Sequence, residues 1–309
     1  MSLETDLLLD RRRLKRRLAF WRGLAVLAVC AALGLAIWRG GPAGGAHVAR
    51  LTVSGLITDD RKLDRAVAKL AADGSIKALE VYIDSPGGSV AGGEGLHDAI
   101  ARVAGRKPVV AVMGGLAASA GYMIAVPATR IFCREATLTG SIGVLLEAPE
   151  LSGLLDKLGV SNQVLVSGPL KDQPSLTRPL SPEGRQVLQS LVMDLYEQFV
   201  GMVAAGRHMD PASVRGLADG RAYTGRQALE LGLVDQIGGE SDARDWLAKA
   251  KGVSADLPVR DITAQSLAER LLGADFGGTL GGILKSFLSQ GLMLDGPWAL
   301  WQPGWQPGE

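Results

Sequence analysis

The 309-residue sequence is poor in the residues that most often announce chemistry, with two cysteines, three histidines and aromatics at only 5%. Cys30 falls in a long apolar run and Cys133 in a strand pattern, so they are not expected to meet. A disulfide-stapled fold is thereby excluded, and Cys133 reads as a small buried hydrophobe. There is no H-E-x-x-H and no paired C-x-x-C, so no metal site is called for. A G-x-x-x-x-G-K-[ST] phosphate loop, an S-x-x-K motif and a G-x-S-x-G elbow are also missing, and nothing asks for a cofactor. Net charge is nearly absent too, at +1. It is uneven, however: eight Lys/Arg and three acids precede His47, leaving 25 basic and 29 acidic residues beyond. The body is mildly acidic and offers no basic face for nucleic acid.

One long apolar run is present, over residues 18–38, interrupted only by Arg22 and preceded by Arg11, Arg12, Arg13, Lys15, Arg16 and Arg17. As a helix it spans roughly 30 Å, one hydrocarbon core. A cleaved signal peptide has a shorter apolar region of about 7–15 residues and a small-residue cleavage site. The run is therefore expected to be an uncleaved anchor, with residues 1–17 as a cytoplasmic segment and residues from 47 onward outside. Residues 39–46, with GGPAGG at their centre, form a linker.

Beyond the linker, strand and helix patterns alternate. Strands are expected over 48–57, 78–83, 108–113, 130–133, 142–145 and 160–166, and helices over 61–72, 93–103, 120–126 and 150–158. A long helix from Ser181 to about Arg207 carries Pro182 and Glu183 at its start. This alternation argues an α/β fold with a mainly parallel sheet. The main body covers 47–250, a helical extension 251–295, and a Trp/Pro-rich tail 296–309. Three tryptophans within eight residues of that tail suit either packing onto the body or an interfacial contact.

Three features could carry chemistry. DSPGG, from Asp84 to Gly88, follows a strand; a Pro-Gly-Gly turn there is either a tight turn or a wall of bare amides. Ser119 sits among small residues where a buried strand pattern runs into an apolar helix pattern, and reads equally as nucleophile or helix cap. No histidine suits as its base: His47 lies in the linker, His97 on a polar helix, His208 after the long helix. Lysine is the other known base for serine. Lys171, in a loop after the 160–166 pattern, is either that base or an ordinary surface charge. A lysine base must be neutral, which apolar burial favours; a nearby Asp172 carboxylate would oppose this and is expected to point away.

The segments DSPGGSV (84–90), GGLAASAGYMIA (114–125), LTGSIGV (138–144), SGPLKD (167–172) and DGRAYTGRQALELGLVDQIGG (219–239) occur in order. On them the region 48–247 resembles the signal peptide peptidase A (SppA) family of membrane-anchored serine proteases. The resemblance implies a Clp/crotonase-like α/β fold of stacked ββα units, here with an N-terminal transmembrane helix and a helical C-terminal part. It implies Ser119 as nucleophile, Lys171 as general base, Ser141 orienting the lysine, and the Gly88 and Ala120 amides as oxyanion hole, without metal or cofactor. The family often has glycine where Ala120 stands. With one catalytic domain the chain resembles the short form. That form assembles as a ring-like homo-oligomer with sites near subunit boundaries, so the dyad is open to completion across chains.

The implied substrates are hydrophobic peptides such as cleaved signal peptides, at the bacterial inner membrane with the catalytic domain extracytoplasmic. Met113, Leu116 and Met123 are expected to line the apolar subsite. The competing readings are a crotonase-like acyl-CoA enzyme and an inactive membrane scaffold of the same fold.

Overall fold

A computed structural model describes residues 45–262 together with Trp21 and Leu24. The expected anchor over 18–38, apart from those two residues, and the tail 296–309 lie outside the described residues. Among the described residues no helix is long and apolar enough to cross a membrane.

From His47 the described chain runs through three successive strand–helix steps. Strand β1 (His47–Ile57) leads to α1 (Arg61–Leu70), β2 (Ile76–Gly88) to α2 (Val90–Ala104), and β3 (Val109–Ala118) to α3 (Ala120–Ala125). Short strands β4 (Arg130–Cys133) and β5 (Leu138–Gly140) follow, then α4 (Ser152–Lys157) and the long α5 (Pro182–Arg207). The described chain closes with α6 (Pro211–Leu217), β6 (Ala222–Thr224), α7 (Gly225–Glu230), β7 (Gln236–Ile237), α8 (Glu240–Lys251) and β8 (Val259–Asp261). The sheet order is β6-β5-β3-β2-β1-β8, with β4 branching from β3 and pairing β7. Every pair is parallel except β5 with β6.

Helices cover both faces of this sheet, so its central strands read as continuous apolar runs rather than alternating ones. On one face Val48, Ala78, Val110, Val112 and Phe132 pack against Ala243 and Leu247 of α8. The opposite parity of β2, Leu79, Val81 and Ile83, is equally buried, with Gly121 of α3 lying against Ile83. Each such aliphatic side chain removed from water contributes about 1.5–3 kcal/mol. The helix starts follow local chemistry: Asp60 accepts from the amides of Lys62 and Leu63, Ser89 from Gly92, and Ser181 from Gly184.

The fork in β3 places the site. Its residues 110–112 pair with β4 and its residues 116–118 with β5. Buried Thr137 and Thr139 donate to the carbonyls of Gly114 and Ala117, each at 2.7 Å, and fix the fork. Cys133 is fully buried, as expected, and burial pushes its thiol pKa up to about 11.

Several expectations need correction. Residues 142–145 are not a strand; the ladder on β3 is made four residues earlier, by β5. Residues 160–166 alternate as a strand would, yet pair with nothing described, and Leu165 is 99% exposed. Periodicity supplies a face, but a strand also needs a partner edge. Strands of two or three residues, such as β6, β7 and β8, are too short for periodicity to reveal. Strand β8 pairs in parallel with β1, at Val48–Arg50.

One polar group is buried on the α8 face. Glu80 is 1% exposed, and neither carboxylate oxygen has a hydrogen-bond partner. Arg50, its register partner on β1, stands 3.9 Å away and also pairs with Glu240 and Asp261. Burial pushes the Glu80 pKa up, Glu240 adds to this, and Arg50 opposes it. A carboxyl raised in the folded state favours the fold at low pH, and that contribution is lost as pH rises through its folded pKa. At pH 7, where the carboxyl of the unfolded chain is ionised, the raised pKa of Glu80 is therefore a net cost. Glu80→Gln is expected to stabilise the protein at pH 7 by on the order of 1 kcal/mol. The gain should shrink toward pH 4. Thermal melts of both proteins across that range check this; a destabilised variant at pH 7 contradicts it.

Candidate active site

Ser119 sits between β3 and α3 with φ 55° and ψ −123°. This is the left-handed side of backbone space, costly for a residue with a Cβ. Position 119 is the N-cap of α3, but its side chain makes no capping hydrogen bond. The cap reading of the sequence is thereby set aside. The backbone is held instead by the Ser119 amide donating to the Gly140 carbonyl at 2.9 Å, and by its own carbonyl accepting from Met123 at 3.0 Å. The hydroxyl is left half-buried and unengaged among the described residues.

The Pro-Gly-Gly turn stands directly against this residue. A Cβ at Gly87 would lie 2.9 Å from the Ser119 Cβ and 3.1 Å from the Ala120 amide nitrogen, and Gly87 has φ 108°. At Gly88 a Cβ would lie 2.0 Å from the Ile57 carbonyl oxygen. Both glycines are therefore required by close approach, and Gly87 by its conformation as well. Buried Ser85 fixes the turn: its hydroxyl donates to the Gly55 carbonyl at 2.6 Å and accepts from the Gly87 amide at 3.1 Å. Ala120, as the first residue of α3, has no intrahelical acceptor for its amide.

Ser119, Gly88 and Ser141 open onto one cleft of about 710 Å³. The structure therefore brings together three of the five residues singled out from the sequence, with Ala120 beside them in the chain. Ser141 also has positive φ, at 49°, and donates its hydroxyl proton to the Gly220 carbonyl at 3.2 Å. No histidine lines the cleft: His47 is buried against Gly45, His97 pairs with Asp98, and His208 caps the end of α5.

Lys171 is not among the cleft residues of this single chain. It is exposed in the loop before α5, and its side chain has no hydrogen bond or ion pair among the described residues. Asp172 does turn elsewhere, pairing with Arg178. The loop around Lys171 is apolar and open to solvent: Leu165, Val166, Leu170 and Leu176 are all exposed.

The apolar walls differ from expectation. Met113 and Met123 are fully buried core residues, and Leu116 does not reach the cleft. The walls come from Leu56, Val90, Val144 and Leu145, and from Val192, Met193 and Tyr196 of α5. Spacing of 192, 193 and 196 along one helix face was the available signal. Asp219 and Gly220, also in the lining, open the 219–239 segment singled out in the sequence.

The backbone strain at Ser119 yields a test. Glycine tolerates φ 55° without the Cβ penalty, so Ser119→Gly is expected to raise unfolding stability by about 1 kcal/mol. The same change removes the hydroxyl. Denaturant unfolding measures the gain; an unchanged or lower midpoint contradicts a strained Ser119.

Comparison with known proteins gives two family matches, the peptidase family S49 over residues 101–254 and Clp protease over residues 52–139. A Synechocystis sp. protein provisionally named a protease is 42% identical over 231 residues, covering 74% of this chain and 83% of that protein. An Enterococcus faecium protein provisionally named signal peptide peptidase SppA is 38% identical, covering 66% of this chain and 63% of that protein. Protease 4 of Salmonella typhi is 41% identical, but the chain spans only 28% of its length. Among solved structures, a Listeria monocytogenes ClpP1 mutant superposes with TM-score 0.41 at 19% identity, covering 62% of this chain and 92% of that one.

Proposed function

The chain belongs to peptidase family S49, the SppA family, and is a serine protease with a Clp-like α/β fold, and we propose that it works through a Ser119–Lys171 dyad. The observation that carries this is the strained, unengaged Ser119 hydroxyl opening onto an apolar cleft. Neutral Lys171 takes the Ser119 proton as Oγ attacks a peptide carbonyl carbon. The carbonyl π electrons move onto oxygen, and the amides of Gly88 and Ala120 receive the oxyanion. Collapse of this intermediate breaks the C–N bond, and the lysine returns its proton to the leaving amine. Water, activated by the same lysine, then hydrolyses the acyl-enzyme.

The lysine is brought by a second copy of the chain. In one chain it is exposed and away from the cleft, whereas a base lysine needs apolar burial to be neutral. The exposed Leu165, Val166, Leu170 and Leu176 around it are surface that a neighbouring subunit would cover, bringing a ring-like homo-oligomer into agreement with the chemistry. The apolar cleft suits hydrophobic peptides such as cleaved signal peptides. The basic segment and apolar run over 1–38 support a bacterial inner-membrane anchor with the catalytic unit extracytoplasmic.

Labelling with a fluorophosphonate tests the dyad. Wild type should label, Ser119→Ala should not, and Lys171→Ala should label slower by roughly 10²–10⁴-fold. Chelators should leave peptidase activity unchanged. Full activity of Lys171→Ala would overturn the assignment.

A further inference from the structure

Ser141 is held more firmly than a residue that merely touches a lysine would need. Its amide donates to the Arg221 carbonyl at 2.9 Å, and its hydroxyl donates to the Gly220 carbonyl at 3.2 Å. A hydroxyl has one proton to give. With that proton committed to Gly220, the Ser141 oxygen can only accept from a group arriving in the cleft. A neutral lysine amine has two N–H bonds and one lone pair. An acceptor engages an N–H and leaves the lone pair free for the Ser119 proton. A Ser141 free to rotate could instead donate to the lone pair and block it.

The direction of this hydrogen bond is set by the turn at 219–221. Gly220 has φ 89°, and its amide donates to the Ile142 carbonyl at 3.2 Å. The Asp219 carboxylate accepts from the Arg221 amide at 3.1 Å and from Arg221 Nε at 2.7 and 2.9 Å. Both side chains are exposed, at 46% and 67%, so the pair contributes little to stability. Its effect is geometric: it closes the turn around the carbonyl that accepts the Ser141 hydroxyl proton, at the wall of the Ser119 cleft.

We propose that Asp219 is a positioning residue for the reaction, holding the Gly220 carbonyl against the Ser141 proton so that Ser141 acts only as an acceptor toward the base lysine. The proposal rests on the Ser119–Lys171 reading above. Its consequence is a lone pair kept available for Ser119. It differs from a purely structural role because losing the turn would let Ser141 donate to the amine and stabilise its neutral form.

The test is hydrolysis of a fluorogenic apolar peptide by the full chain across pH, for wild type, Asp219→Ala, Asp219→Asn and Lys171→Ala. Asp219→Ala is expected to lose about tenfold in kcat, part of what a positioned base supplies. Its KM should be little changed and the acid limb of its profile should move to lower pH. Asp219→Asn keeps an acceptor for the Arg221 amide and should recover most of kcat and the wild-type limb. A wild-type rate in Asp219→Ala, or a reduced rate with an unmoved acid limb, overturns the positioning role. Full activity in Lys171→Ala overturns the dyad itself, and the proposal with it. An inactive Lys171→Ala beside an unmoved Asp219→Ala limb sinks the positioning role alone. Should Asp219→Ala fail to fold, Arg221→Met removes the side-chain partner while sparing Asp219. It should give a smaller shift of the same sign; an unmoved limb there overturns the proposal equally.

Discussion

Two turns press together in this protein, and the space between them admits no side-chain carbon. Residues 85–88 end β2 and residues 118–120 join β3 to α3, and a Cβ at Gly87 would stand 2.9 Å from that of Ser119. The parallel β2–β3 pairing sets this approach, because strands running the same way deliver their ends to the same edge of the sheet. Everything nearby serves the contact. Buried Ser85 ties the first turn to β1, Gly140 receives the Ser119 amide, and two buried threonines hold the fork of β3 open. A hydroxyl and the start of a helix face one cleft as a result.

The cost of that arrangement is a serine in backbone space it would not choose, with Ser141 in the same condition across the cleft. Strain of this kind persists only where surrounding structure over-determines it. Here that structure is the doubly covered sheet, with α8 on one face and α1–α3 on the other. The stability stored in the buried aliphatic core offsets the local cost and leaves Ser119 unable to relax into an ordinary cap.

Much of this was legible in the sequence. The first three strands and their helices are long enough for their apolar runs to speak, and Ser119, Gly88 and Ser141 fall in one cleft as their motifs implied. What stayed hidden has physical reasons. The 160–166 segment has strand periodicity, but periodicity cannot say whether a partner edge exists. Met113 and Met123 looked like cleft walls from their nearness in sequence to Ser119, yet both side chains are buried in the core. Part of the actual wall comes from α5, more than 70 residues after Ser119. The acceptor for Ser141 is a backbone carbonyl, and a carbonyl has no letter in the sequence.

The single chain gathers Ser119, Gly88, Ser141 and the Gly220 turn at one cleft, and leaves the proposed base on an exposed apolar loop. That division makes the central claim testable by mixing two inactive proteins. Ser119→Ala lacks the nucleophile but retains the lysine; Lys171→Ala lacks the lysine but retains the nucleophile. Co-expressed in equal amounts and purified as a mixed assembly, they should regain roughly a quarter of wild-type peptidase activity, since one site in four would draw both intact residues from neighbouring copies. A mixed assembly as inactive as either variant alone would contradict a dyad shared between subunits.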